Sequence, residues 1–262
     1  QPWEEGSTSL ISSRCAHSAT TGGTITPPER SMGLHTGDVT RSLLLIPSPV
    51  LGPSCWEPVA TLARQQGREV AIADLRPALE TDGPLWPEMV RLARAAGRSL
   101  PSPVDVAAHS GAGALLPGVG AAMGGSVGRL VFVDAVLPPP GGAHRYPDHV
   151  RERALEMAAG NDLLPSWLDW WPAETVRRMI PDVSIEARLR EDIPRIPVRW
   201  WEEDVPVPIA WAEHEHLYIR LSAAYDQELE RARELGWRTL EVDSTHMGIV
   251  IEPEIVLETM TA

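Results

Sequence analysis

Three residues whose types do chemistry together lie at two places far apart in the chain. Ser110 and Gly111 fall in Ala108-His109-Ser110-Gly111-Ala112, a serine among small residues, and His246 falls in "STHMGIVIEPEIV" near the C-terminal end. A serine hydroxyl attacks a carbonyl when a base within hydrogen-bond reach takes its proton, and histidine is the usual base. A small-x-Ser-x-small turn between strand and helix is a form of nucleophile elbow, whose neighbours are small because other backbone passes close by. The turn leaves the hydroxyl at a helix start, where free N–H groups favour negative charge, and the Gly111 N–H is placed to donate to an oxyanion. The pattern recurs by chance in a chain with 21 glycines. Its meaning therefore rests on context: a strand before it, a helix after it, and a base on a late loop.

That context is present. Short apolar runs, "LLLIPSP" (43–49), "EVAIADL" (69–75), "VDVAAH" (104–109), "RLVFVDAVLP" (129–138), "HLYIRLS" (216–222) and "RTLEVD" (238–243), read as strands. Between most of them lie helical patterns, including 57–67, which stops at Gly67, and 84–97, which stops at Gly97; a last helix covers 252–260. Apolar strands without alternation, separated by amphipathic helices, predict a mostly parallel sheet with helices on both faces, an α/β fold. Pro117, just past the first turn after Ser110, predicts a kinked or shortened helix there.

The segment from about 142 to 212 interrupts this alternation with short helices broken by Pro165, Pro172, Pro181 and Pro194, and six of the ten tryptophans fall between Trp167 and Trp211. An insertion at the carboxyl edge of a parallel sheet covers the ligand crevice, so the segment reads as a lid. Most of its tryptophans are expected to pin the lid down, with Trp170 and Trp171 of "WLDWW" offered as walls for a flat or greasy acyl group. Residues 1 to about 40 are Ser/Thr/Gly/Pro-rich and aperiodic. They are expected to be a flexible tail, native or added for expression, outside a domain spanning 41–262. They lack the basic and apolar regions of a secretory signal, and the expected location is cytoplasmic. A net charge of −13 with no basic stripe disfavours nucleic acid and anionic membrane as partners. Cys15 and Cys55 form neither a disulfide framework nor a metal spacing. "EHEH" (213–216) offers His214 and His216 without a convincing third ligand, a poor metal site. Neither metal nor cofactor is expected.

Over roughly residues 42 to 260 the chain resembles an α/β-hydrolase. "LLLIPSPVLGPSCWEPVATLARQQGREVAIADL" is similar to the first strand, oxyanion loop and helix of the plant-type esterase and hydroxynitrile lyase branch; "AHSGA" resembles the elbow and "STHMGIVIEPEIV" the catalytic histidine loop. The resemblance implies a triad of Ser110, His246 and an acid. In most of the family the acid follows the strand after the lid. With "HLYIRLS" as that strand, the matching turn holds Tyr225 and then Asp226; with "PIAWA" (208–212), the acid is Glu213 or Glu215. Some lipases of this fold carry it after an earlier strand, which here means Asp134. Asp134 ranks first, because a carboxylate closing so apolar a run needs a partner; Glu215 ranks second and Asp226 third.

The oxyanion loop departs from the resemblance. Where the family has His-Gly followed by an N–H donor, this chain has "PSPVLG", and Pro47 and Pro49 have no N–H. The Ser48 hydroxyl or the Val50 N–H is then expected to assist Gly111. The function expected is acyl transfer or hydrolysis on an ester or thioester with an aromatic or hydrophobic acyl group, small or carrier-bound. The Arg-over-Lys, Ala-, Pro- and Gly-rich composition and the proline loop suggest natural-product biosynthesis, in the style of hydrolase-fold acyltransferases and thioesterases. Two competing readings stand beside it: a lyase using Ser and His as acid and base, and a ligand-binding protein that kept only the fold.

Overall fold

A computed structural model describes residues 41–262; the tail expected over 1–40 lies outside the described residues. Eight strands follow in chain order: Ser42–Ile46 (β1), Val70–Ile72 (β2), Val104–Ser110 (β3), Val127–Ala135 (β4), Gly142–His144 (β5), Val205–Val207 (β6), Glu215–Arg220 (β7) and Arg238–Glu241 (β8). Six of them form one sheet in the order β2-β1-β3-β4-β7-β8, with every neighbouring pair parallel. The apolar runs of β1, β3 and β4 are buried along nearly their whole length, as strands covered on both faces must be.

The covering helices are Glu57–Gln65 (α1), Leu85–Gly97 (α2), Leu116–Met123 (α3), Asp226–Glu234 (α7) and Pro253–Thr261 (α9), with Asp148–Ala158 (α4), Ala173–Met179 (α5), Val183–Asp192 (α6) and Gly248–Ile251 (α8) between them in sequence. Helix α1 packs against α9 and α2 against α3. At the amino end of the sheet a buried ion pair joins β3 to β4, Arg129 to Asp105 at 2.9 Å, and the same guanidinium donates to the Met260 carbonyl at the end of α9. A buried charge that lost such a partner would be strongly destabilising, so this pair fixes the strand ends against the last helix.

Between Ser110 and α3 the chain runs as a 3-10 turn, Gly111–Leu115, and Pro117 sits in the first turn of α3. The kink expected from Pro117 is therefore replaced by a fresh helix start, where proline has no hydrogen bond to break. "PIAWA" is likewise a 3-10 turn rather than a strand.

Within residues 142–212, β5 and β6 form an antiparallel pair with α4, α5 and α6 between them in sequence, and a 3-10 turn, Ile209–Glu213, follows β6. Pro147 and Pro172 each stand immediately before a helix, at α4 and α5. The three-residue strands are too short for any alternation to show in the sequence. Among the described residues no helix is long and apolar enough to cross a membrane.

Candidate active site

Strand β3 ends in Ser110, whose backbone is forced to φ 57° and ψ −129°. Such a conformation costs a non-glycine residue on the order of 1–3 kcal/mol and persists only where the surroundings impose it. One strand over, the β3–β4 ladder pairs His109 with Val133 and Ser110 with Ala135, which leaves Asp134 as an extra residue at φ 44°. A bulge of this kind re-aims a side chain out of the regular alternation. Among the described residues only Ser110, Asp134 and Ala159 are non-glycines with positive φ, so two of the three strained positions stand side by side here.

The re-aimed Asp134 carboxylate is fully buried and completely partnered. Its Oδ1 accepts from the Leu221 and Ser222 N–H groups at 2.8 and 2.9 Å; its Oδ2 accepts from Ser222 Oγ at 2.6 Å and from His246 Nδ1 at 2.7 Å. Burial alone would raise its pKa, but the bonds and charge of His246 and the bonds of Ser222 outweigh burial and leave it lowered. Asp134 is thus an anion, and the Nδ1–H it holds leaves His246 Nε2 with the lone pair a general base needs.

The histidine loop is fixed from below. His109 Nε2 donates to the His246 carbonyl at 2.8 Å, and the two rings lie 4.5 Å apart. Burial, and then the neighbouring His246, lower the His109 pKa to about 3, so it stays neutral. On its other sides the His246 ring meets Tyr225, stacked at 5.3 Å and 12°, and Trp167 at 6.1 Å.

The Ser110 hydroxyl is hydrogen-bonded to Tyr225 Oη at 3.3 Å and not to the His246 ring. Catalytic hydrogen bonds are often loose before substrate arrives. Burial, the leading cause, raises the Tyr225 pKa well above the ordinary phenol range and keeps the hydroxyl protonated. Next to Ser110, a carbon at the missing side-chain position of Gly111 would lie 3.3 Å from both Ser48 Oγ and Tyr146 Oη, and 3.7 Å from Pro49 Cδ. Val50 is buried in the turn that the Leu51 N–H closes onto the Ser48 carbonyl at 2.8 Å. The closest backbone approach falls at Gly113, where a side-chain carbon would collide with the Val136 carbonyl oxygen. Small residues are needed there for a reason the flanks of Ser110 do not reveal.

The structure thus brings together Ser110, Gly111, Asp134, His246 and the Ser48–Val50 turn, and places the remaining carboxylate and tryptophan candidates elsewhere. Glu215 is exposed at the start of β7, paired with Arg41 at 3.4 Å, and Asp226 is exposed and paired with Arg220 at 2.8 Å. Trp170 donates its indole N–H to the Pro165 carbonyl at 2.9 Å and packs on Trp201, while Trp171 packs on Trp167. The 3-10 turn Trp167–Trp170 sets this phase, so Trp167 is the one against His246. His216 stacks on Trp237 at 4.1 Å in an aromatic group with Trp211 and Phe132; among the described residues no three His, Cys, Asp or Glu could hold a metal.

Residues the sequence does not single out are Tyr146, Ser222 and the second role of His109. One signal was available. The chain has only three tyrosines, and all three surround this site, since Tyr218 Oη donates to the Ala135 carbonyl beside Asp134 at 2.7 Å.

Among solved structures, the fold matches an extracellular α/β-hydrolase from a Paenibacillus species, described as sharing structural and functional homology with tobacco salicylic acid binding protein 2. The TM-score is 0.67 and the identity 17%, over 84% of this chain and 97% of that one. It also matches tomato methylketone synthase I, in a histidine-to-alanine variant complexed with β-ketoheptanoate (TM-score 0.63, 13% identity, 85% and 96% covered). A pyrethroid hydrolase from Sphingobium faniae JZ-2 gives a TM-score of 0.61 at 18% identity, with 84% and 95% covered. At these identities the likeness is one of fold. No protein-family model matches the sequence, and no curated protein does.

Proposed function

The chain has the α/β-hydrolase fold, and from that fold we propose a serine-nucleophile enzyme that cleaves or transfers the acyl group of an ester or thioester. The observation that carries this reading is the 2.7 Å bond from His246 Nδ1 to the buried Asp134 carboxylate, at the sheet edge where Ser110 is held in its strained turn. In this reading His246 Nε2 removes the Ser110 proton as Oγ attacks, and Asp134 stabilises the imidazolium. His246 then returns the proton to the departing oxygen or sulfur. Water or an acceptor nucleophile resolves the acyl-enzyme. Trp167, nearly buried against His246, supports a hydrophobic or aromatic acyl group and a dry site, which favours transfer to an acceptor. A small or carrier-bound substrate in secondary metabolism fits that chemistry. The neighbours named as hydrolases support the hydrolytic half of the reading.

The test is labelling with a fluorophosphonate, read by intact mass. Wild-type protein is expected to gain one adduct that Ser110→Ala does not. Absence of any adduct on the wild type would overturn the proposal.

One observation favours a second reading. Pro47 and Pro49 remove N–H groups from the loop that would hold an oxyanion, which suits a lyase that uses Ser110 and His246 only to move a proton. An acyl adduct trapped on Ser110 from an activated thioester supports acyl transfer; release of a carbonyl product without any adduct supports the lyase.

A further inference from the structure

We infer that the Tyr146 hydroxyl is the second oxyanion donor of this site, standing where Pro49 offers none. The inference rests on the acyl-transfer reading above and deepens it. An oxyanion formed on attack by Ser110 needs two donors beside Oγ: the Gly111 N–H, and one from the loop after β1. That loop carries Pro47 and Pro49, neither of which has an N–H.

The space beside Gly111 is filled instead by Tyr146 Oη and Ser48 Oγ, each 3.3 Å from where a Gly111 side-chain carbon would stand, with Pro49 Cδ at 3.7 Å. Tyr146 arrives from the inserted segment, two residues after β5, and is held between Trp200 and Trp201, with ring centroids at 6.0 and 6.2 Å. Burial, the leading cause, raises the Tyr146 pKa above the ordinary phenol range, so the proton stays in place at neutral pH. The Tyr225 hydroxyl is paired with Ser110 Oγ at 3.3 Å and its ring stacks on His246, whereas the Tyr146 hydroxyl is the one that stands beside Gly111. In this reading the two phenols divide the work: one at the nucleophile, one at the developing oxyanion.

The test uses the full chain and a fluorophosphonate, whose attack builds negative charge on a P–O oxygen much as an ester does on its carbonyl. Second-order labelling rates are compared for the wild type, Tyr146→Phe and Ser48→Ala. Tyr146→Phe keeps the ring between the two tryptophans, and near-UV circular dichroism checks that it does. Loss of one oxyanion donor costs about 100- to 1,000-fold; Tyr146→Phe is expected to lose at least about 100-fold, and Ser48→Ala only a few-fold. With an activated p-nitrophenyl ester the loss is expected in kcat with KM unchanged, a split that a purely structural role of Tyr146 would not produce. Labelling of Tyr146→Phe within about threefold of wild type overturns the donor assignment while leaving the nucleophile reading intact. A large loss in Ser48→Ala alone moves the role to Ser48 and overturns it equally. Failure of the wild type itself to label overturns the nucleophile reading, and the donor assignment falls with it.

Discussion

The ring of Tyr225 lies parallel to the His246 imidazole, 5.3 Å away at 12°, while its hydroxyl sits 3.3 Å from Ser110 Oγ. One side chain thus walls the proposed base and touches the proposed nucleophile. Removing only the hydroxyl, in Tyr225→Phe, keeps the wall and deletes one neutral hydrogen bond, worth about 1 kcal/mol. The expected cost is about fivefold in the rate of fluorophosphonate labelling. Tyr225→Ala also removes the wall and is expected to lose distinctly more; equal rates for the two variants would show that the stack contributes nothing.

Four carboxylates, Asp134, Glu213, Glu215 and Asp226, compete in the sequence for the place behind His246, and only Asp134 is bonded to it, at 2.7 Å. Replacing the orienting carboxylate of a Ser-His-Asp site by its amide costs on the order of 10,000-fold through the wrong tautomer. Asp134→Asn is therefore expected to lose 1,000-fold or more in kcat/KM on an activated ester. Glu215→Gln and Asp226→Asn, at exposed ion pairs away from the site, should stay within about twofold. A milder loss at Asp134 than at either of the others would remove it from the mechanism.

Ser110 and His246, the proposed nucleophile and base, stood out in the sequence because each follows a strand and carries a local pattern of its own. Asp134 ranks first in the sequence on the cost of an unpaired buried carboxylate, but its reach to His246 was not legible, because it runs through a bulge, and a bulge depends on the register of two strands rather than on any residue type nearby. The turn after β7, where the resemblance first looks for an acid, contributes Ser222 and Tyr225 instead. Tyr146 was invisible for a related reason. It is placed by the pairing of β5 with β6, three-residue strands more than sixty residues apart in sequence, whose short runs carry no period. The paired tryptophans were legible as aromatic packing, but which ring faces His246 depends on the phase of a single 3-10 turn.

His109 makes the fold acid-sensitive. Its folded pKa is lowered to about 3 by burial first and by His246 second, whereas an exposed histidine titrates near 6.5. Between those values the unfolded chain binds a proton that the folded one refuses, so stability rises with pH across this window and is lost as pH falls through it. Each pH unit is worth about 1.4 kcal/mol, giving a few kcal/mol in all. Asp134, whose folded pKa is also lowered, adds a loss of the same sign as pH falls through the carboxylate range. Urea unfolding of the wild type from pH 7 to 4 is expected to show this slope. His144 and His216, both lowered to about 4 with burial as the leading cause, add slope of the same sign, so His109→Gln should reduce the slope without abolishing it; an unchanged slope would place the acid sensitivity elsewhere.

Two carboxylates of the inserted segment clasp the body of the domain, each on the backbone at a helix start. Asp192, at the end of α6, accepts from Ser54 N at 2.9 Å and Ser54 Oγ at 2.5 Å, just after the proline-rich loop. Glu203 accepts from Leu85 N at 2.6 Å and Trp86 N at 3.0 Å, the first N–H groups of α2. Caps of this kind are worth about 1 kcal/mol each, so the pair holds the segment down by roughly twice that at most. The double variant Asp192→Ala, Glu203→Ala is expected to exchange amide protons faster across residues 142–212 while the amides of β1, β3 and β4 keep their protection. Tyr146 belongs to the same segment, so fluorophosphonate labelling should slow along with the loosening. Faster exchange throughout the sheet would mean that the two carboxylates stabilise the whole domain rather than the seating of this segment.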